Sequence, residues 1–249
     1  MQNQIDLVLA MPCYNEEDGI EVTIKKLIEF LNNRNQSCVI VIQDDCSTDN
    51  SYFLLRELAA DCTFPLMVER NVRNLGHGPT SLHAYSRALT FCSRRVLFLD
   101  SDGQFEISDL GQILDAGETT NVECILGIRQ QRVDPYFRRW ASNFLRVMIG
   151  IRFGMSTVDP NTPIRLFSTS FLSEVLPRVP ANSLIPNIWL TIRGKQLRSR
   201  YVEIPIRHRH RAGVATTGST WRTKRYRRIR PFFRFLRFGT SAGRELLTG

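Results

Sequence analysis

Hydrophobic and polar positions along the first 130 residues follow two alternating rhythms. Near-continuous apolar runs at Ile5–Met11, Cys38–Gln43, Leu66–Glu69, Arg95–Leu99 and Glu123–Ile128 read as strands buried on both faces. Between them, Gly19–Asn32 sets Ile20, Ile24, Leu27, Ile28 and Leu31 on one helical face, and helical patterns recur over Asn50–Ala60, Pro79–Phe91 and Ser108–Ala116. Strands interleaved with amphipathic helices predict an α/β fold, doubly wound, with a mostly parallel sheet covered on both faces. After residue 130 the alternation weakens. A helical stretch over 135–153 precedes loop-rich sequence holding Pro160, Pro163, Pro177, Pro180 and Pro186, and a strand-like Tyr201–Ile206 follows.

A sheet of this kind binds ligands beyond the carboxyl ends of its strands. There the sequence places Pro12-Cys13-Tyr14-Asn15-Glu16, Asp44-Asp45-Cys46-Ser47, the segment from Arg70 to Gly78, Asp100-Ser101-Asp102-Gly103-Gln104, and Arg129. Asp100 and Asp102, two residues apart past a buried strand, can reach one divalent cation, and oxygen ligands select Mg²⁺ or Mn²⁺. A turn in which Asp caps the next helix is the commoner origin of an isolated pair; the other strand-end acids shift the balance toward a metal. Asp44 or Asp45 can accept hydrogen bonds from a nucleobase or ribose, whereas Asp49 suits helix capping. Gly76 and Gly78 let backbone approach a ligand ahead of a helix starting near Pro79. His77 in that loop reads as structural or substrate-adjacent rather than as a base.

Charge changes the picture at one end of the chain. The net charge of +9 over 249 residues is uneven: residues 1–203 hold 21 basic and 23 acidic side chains, and residues 204–249 hold 12 basic and a single acid, Glu245. A basic balance confined to one end suggests docking to an anionic partner. The six cysteines form no C-x-x-C pair and fall partly in apolar runs, as reduced thiols of a cytoplasmic protein do. The opening MQNQIDLVLAMP lacks a basic leader, and no apolar window is long enough to span a bilayer.

In order along the chain, LAMPCYNEED, VIQDDCSTDN, NLGHGPTSLHAYSRAL and LFLDSDGQF resemble the blocks of glycosyltransferase family two, the nucleotide-sugar transferases with the GT-A fold. Arg129 in ILGIRQQR and the block Pro163-Ile164-Arg165-Leu166-Phe167 resemble the polyprenyl-phosphate branch, typified by dolichyl-phosphate mannose synthase. The resemblance covers about residues 5–211. It implies that Pro12, Tyr14, Glu16 and Asp44 hold the nucleoside, with Asp45 and Gly76 beside them. Asp100, Asp102 and Gln104 are implied to lie at the metal and the diphosphate, and Arg129, Arg165 and Arg211 at phosphates of donor or acceptor. Asp102, Arg129 and Arg165 are thereby the residues implied to act in the transfer. Two departures matter: the family's R-x-x-G-x-S-K element appears only loosely after Arg211, leaving Arg209 as a rival and Arg222 or Lys224 as stand-ins for its lysine, and Ile164 replaces an aromatic.

A hydroxyl acceptor needs a general base, whereas a phosphate is already ionised and needs cationic anchoring. Relatives acting on hydroxyls place a Glu-Asp pair where this chain reads Ser183-Leu184-Ile185-Pro186-Asn187-Ile188-Trp189-Leu190, without an acid. Between residues 160 and 244 the carboxylates are Glu174 and Glu203, among many arginines. The expected activity is therefore inverting, metal-dependent transfer from a UDP- or GDP-linked sugar to a polyprenyl phosphate, undecaprenyl or dolichyl. Two alternatives stay open, a glycan hydroxyl acceptor with Asp159 as base and a non-catalytic nucleotide-binding adaptor. Residues 1–211 form the expected GT-A domain and 212–249 a basic aromatic tail.

The segment 135–153 interleaves Trp140, Phe144, Leu145, Met148 and Ile149 with Arg138, Arg139, Arg146 and Arg152, which suits either an interfacial helix or core packing. In the tail, Ile229, Phe232, Phe233 and Leu236 alternate with arginines, and eight basic residues lie between Arg222 and Arg237. Each contributes about 1 kcal/mol near an anionic leaflet, enough together for reversible docking. The same tail is compatible with single-stranded nucleic acid or a disordered extension, but the body holds no nucleic-acid module. The expected placement is peripheral, on the cytoplasmic face of a membrane.

Overall fold

A computed structural model describes residues 4–130, 136–155, 159, 161–207 and 239–247, with the backbone alone over 136–142. Seven strands form one sheet: β1 (Ile5–Cys13), β2 (Cys38–Asp44), β3 (Leu66–Arg70), β4 (Ser93–Leu99), β5 (Cys124–Gln130), β6 (Ile164–Ser168) and β7 (Tyr201–Arg207), in the order β3-β2-β1-β4-β6-β5-β7. Helices α1 (Ile20–Asn32), α2 (Ser51–Asp61), α3 (His77–Ala88), α4 (Ile107–Thr119), α5 (Tyr136–Phe153), α6 (Thr169–Val175) and α7 (Pro186–Gln196) cover its two faces, and a further helix runs over residues 239–247.

The alternation of side chains along each strand divides the core in two. Leu7, Leu9, Met11, Ile40, Ile42, Leu97, Leu99 and Leu166 meet the apolar stripe of α1 and the buried face of α4. Val8, Ala10, Val41, Val96, Phe98, Leu126 and Phe167 meet α3, α6 and α7 on the other side. Each such fully buried aliphatic or aromatic side chain contributes about 1.5–3 kcal/mol relative to an exposed one. Tyr85 of α3 stacks on Phe98 with ring centroids 4.6 Å apart and donates its hydroxyl to Asn187 Oδ1 of α7 at 2.7 Å. One residue thereby ties the sheet to two helices.

β1, β2, β3 and β4 run parallel, so their carboxyl ends share one edge. β6 is antiparallel to both β4 and β5, with Leu99 opposite Ile164. Its amino end, and the loop before it, therefore reach that same edge. This strand lies where the sequence pattern reads as loop, because Arg165 interrupts a run of only five residues among several prolines. β7 closes the sheet beside β5 and carries Pro205 opposite Ile128.

Arg132, Trp140, Arg138, Arg139, Arg209, Arg211, Arg222, Lys224 and the aromatic residues of the tail up to Phe238 lie outside the described residues or have undescribed side chains. The end of the expected tail packs on the body: Ala242 and Leu246 are fully buried in the same cluster as Trp189 and Leu145. No helix among the described residues is long and apolar enough to cross a membrane.

The start of α3 passes so close to the loop before α7 that a Cβ on Gly78 would fall within 2.8 Å of the Leu184 backbone and nearer still to the Ser183 carbonyl oxygen. Both neighbours are backbone and cannot rotate away. Gly78→Ala is expected to lower stability by about 1–3 kcal/mol, read as a lower urea midpoint at unchanged slope.

Candidate active site

Loops from β1, β2 and β3 form one half of the edge, and they are tied together. Asp44, fully buried at the end of β2, accepts from the backbone N–H and hydroxyl of Ser47 at 3.0 and 2.5 Å and pairs with Arg70 Nε at 3.2 Å. Burial pushes its pKa up, against the Ser47 hydrogen bonds and the Arg70 charge. Arg70 also donates to the Ser47 carbonyl at 2.7 Å and lies 4.6 Å over the Tyr52 ring. Asp45 accepts from Asn71 Nδ2 at 2.9 Å and from the N–H groups of Leu75 and Gly76 at 2.7 and 2.9 Å. Gly76, at φ +90°, supplies the left-handed backbone that aims its N–H at Asp45. Asn15 and Thr48 close the β1 and β2 loops through a backbone N–H bond of 2.8 Å.

Asp44 and Asp45 were expected to face a nucleoside. In the structure both carboxylates point inward and are used in shaping the loops, because a buried carboxylate must be given donors. Pro12 is buried, while Tyr14 and Glu16 are half-buried at the rim. Arg70 and Asn71, which organise these loops, were not singled out from the sequence; a cation just after a strand among four acids was the available signal.

The other half of the edge is a recess lined by Asp100, Asp102, Gln104, Phe105, Arg129 and Pro163. It brings together four residues expected from the sequence. Gly103 turns the chain at φ +67°, and Asp102 Oδ1 accepts from the Gln104 N–H at 3.1 Å. Asp100 has 31% of its side chain exposed, yet its Oδ1 is buried and has no hydrogen-bond partner, with His77 Nε2 3.6 Å away. Burial raises the Asp100 pKa; the His77 charge opposes this and Asp102 adds to it.

A buried carboxylate oxygen lacking a donor, with a second carboxylate two residues on, fits a divalent cation. Among the described residues no cluster of three or more His, Cys, Asp or Glu side chains is present. The protein side of such a site is Asp100, Asp102 and the Gln104 amide, which suits a cation that completes its shell with phosphate oxygens and water.

Arg129 and Asp159 form a bidentate pair, Nε to Oδ2 at 2.7 Å and Nη2 to Oδ1 at 3.0 Å, with side chains 13% and 4% exposed. Both oxygens of the candidate base are thus engaged by a cation. Arg165 was expected at a phosphate, but its side chain has no exposed surface: it donates to the Thr162 carbonyl at 3.2 Å and to Thr191 Oγ1 at 2.9 Å. Burial lowers its pKa, against Tyr85, Cys124, Asp159 and Asp100. Its charge lies behind the recess, where Asp100 and Asp159 face it.

A mostly parallel sheet with acidic strand ends, a glycine turn before α3 and an Asp-x-Asp recess match the architecture of the GT-A fold. The profile of glycosyl transferase family 2 matches residues 8–176, and the chain belongs to that family. Curated relatives named undecaprenyl-phosphate 4-deoxy-4-formamido-L-arabinose transferase include one from Edwardsiella ictaluri, 26% identical over 203 residues covering 82% of this chain and 60% of that protein. Another, from Proteus mirabilis, is 24% identical over 210 residues, covering 84% of this chain and 61% of that protein. The chain therefore spans about 60% of the length of these relatives. Among solved structures, glucosyl-3-phosphoglycerate synthase from Mycobacterium tuberculosis with Mn²⁺, UDP-glucose and phosphoglyceric acid superposes with a TM-score of 0.67 at 15% identity, over 98% of this chain and 79% of that one. The same enzyme with Mg²⁺ and UDP gives 0.63 at 17% identity, with the same coverage.

Two expectations follow. An acid with a raised folded-state pKa contributes most to stability in acid, below its unfolded value, and loses that contribution as pH rises through the folded value. Asp100→Asn is accordingly expected to stabilise the metal-free protein at pH 7, with the gain vanishing toward pH 4, in melts run across that range. Asp159→Asn leaves the Arg129 guanidinium without its buried carboxylate and is expected to cost about 3 kcal/mol in urea titrations.

Proposed function

We propose that this glycosyltransferase moves a sugar from a nucleoside-diphosphate donor to a polyprenyl phosphate at an anionic membrane surface. The observation that carries the reading is the recess itself: two carboxylates suited to a cation and a diphosphate, with Arg129 on the same wall. A divalent cation held by Asp100, Asp102 and Gln104 would neutralise the charge of the departing diphosphate. Arg129 anchors the acceptor phosphate, held in orientation by Asp159. An acceptor oxygen attacks the anomeric carbon from the side opposite the donor; the new C–O bond forms as the C–O bond to the diphosphate breaks and its electron pair leaves with that group. The anomeric configuration inverts. No proton has to be removed from an ionised phosphate, which agrees with Asp159 being bound to Arg129. The relatives' names point to the same acceptor class.

A lipid acceptor requires a surface from which to take it. Five of the eight exposed large apolar residues among those described are Phe144, Val147, Ile151, Leu184 and Leu247. Phe144, Val147 and Ile151 share a face of α5, and a Cβ on Gly243 would sit 3.6 Å from the Phe144 ring, so helix 239–247 lies alongside. Exposed Arg146, Arg152 and Arg244 flank them. An apolar stripe with basic flanks suits the headgroup boundary. The basic segment before residue 239 adds to this attraction.

The experiment supplies labelled nucleotide sugars, UDP-linked first because the structural neighbours bind UDP, with Mn²⁺ or Mg²⁺ and undecaprenyl or dolichyl phosphate in anionic vesicles. A solvent-extractable lipid-linked sugar is expected, and Asp102→Ala should reduce it at least a hundredfold. Val147→Glu combined with Ile151→Glu should lower vesicle binding tenfold or more while nucleotide binding is retained. Absence of lipid product across the donors, with sugar passed to a soluble hydroxyl, would overturn the acceptor assignment.

A further inference from the structure

We propose that Glu245 is a positioning residue of the transfer site, acting through the loop Ser183–Ile185. It is the single acid of residues 204–249, and the fold brings it to 183–190, a stretch with no acid of its own. Its Oε1 accepts from the Ser183 hydroxyl at 2.5 Å and from Trp189 Nε1 at 2.6 Å, and its Oε2 accepts from the Leu184 N–H at 2.9 Å. The Ser183 hydroxyl oxygen in turn accepts from the Ile185 N–H at 3.1 Å. Ser183 and Trp189 are buried, as are Ala242 and Leu246, which seat the helix carrying Glu245.

This arrangement holds the loop at the start of α7, where the helix dipole favours a carboxylate. The loop then presses on the start of α3, since only a glycine at 78 lets Ser183 and Leu184 approach as closely as they do. One residue before Gly78, His77 faces Asp100 at 3.6 Å. Contacts therefore run from Glu245 through Ser183 and Leu184 to α3 and the recess. With both oxygens accepting from three donors, Glu245 is committed to holding the loop and is not placed as a base. Displacing a positioning element by about 1 Å can cost on the order of a hundredfold in rate while ligand binding persists.

The inference rests on the reading of Asp100 as the diphosphate-side carboxylate, and two measurements separate it from the choice of acceptor. Hydrogen exchange is compared between the wild-type chain and Glu245→Gln, a substitution that keeps shape but loses charge and one acceptor. Faster exchange in the loop 183–185 and the first turn of α3, with the β1 to β4 strands unchanged, is expected; unchanged exchange in both would overturn the proposal. In steady-state transfer, Glu245→Gln should lower kcat about ten- to a hundredfold with KM for the donor within about twofold, and Ser183→Ala combined with it should add little. A folded Glu245→Gln protein with wild-type kcat overturns the proposal, as does a variant that loses melting temperature, UDP–Mn²⁺ affinity and kcat together, which marks a structural role only. If the wild-type chain transfers nothing to polyprenyl phosphate, the acceptor assignment falls, and the exchange comparison still decides the role of Glu245.

Discussion

A guanidinium with no exposed surface lies near the middle of the sheet, and much of the structure is arranged around it. Arg165 sits on the strand wedged between β4 and β5, facing α7. An interior cation is tolerated only where acceptors and negative charge surround it. The Thr162 carbonyl and Thr191 hydroxyl supply acceptors, and Asp159 and Asp100 supply charge. Both bear on the recess: Asp159 orients Arg129, which lines it, and Asp100 lines it with an oxygen that has no donor. The need to compensate one buried charge and the geometry of the site are thus the same arrangement viewed from two sides.

The two halves of the edge are built differently. In the loops after β1, β2 and β3, the carboxylates of Asp44 and Asp45 accept from hydroxyl, amide and guanidinium donors of the loops themselves. Those loops are organised before any ligand arrives, so little ordering entropy is left for binding to oppose. In the recess, Asp100 and Asp102 keep acceptor capacity open, which is costly in the protein alone and becomes favourable when positive charge is supplied. Rigid loops around an electrostatically unfinished centre are what a transferase needs if its donor diphosphate arrives with a cation.

Much of this was legible in the sequence. The five parallel strand positions and the helices between them follow from apolar runs and 3.6-residue periodicity, and four recess residues follow from their place after strands. Where sequence and structure part, the reasons are tertiary. β6 is hidden because a strand with a buried arginine at its second position has no apolar rhythm. For Asp44 and Asp45 the sequence shows the acids, but nothing local reveals that Ser47, Asn71, Leu75 and Gly76 turn their donors toward them. Arg129 and Asp159 were each given a separate role, and only their separation in space shows that they act as a pair. Glu245 looked like an incidental acid in a basic tail, since its partners lie about sixty residues earlier in the chain.

The outermost strand has a further consequence. Among the described residues β7 ends the sheet, and a strand edge without a neighbour invites other chains to add to it. Pro205 removes a donor from this strand, Glu203 puts a charge on it, and Arg207 at its end is tied to Asp109 of α4 by three contacts of 2.6 to 3.2 Å. A growing cross-strand ladder would find a missing hydrogen bond, a charge to desolvate and a fixed terminus. This edge of the sheet is therefore guarded against strand addition.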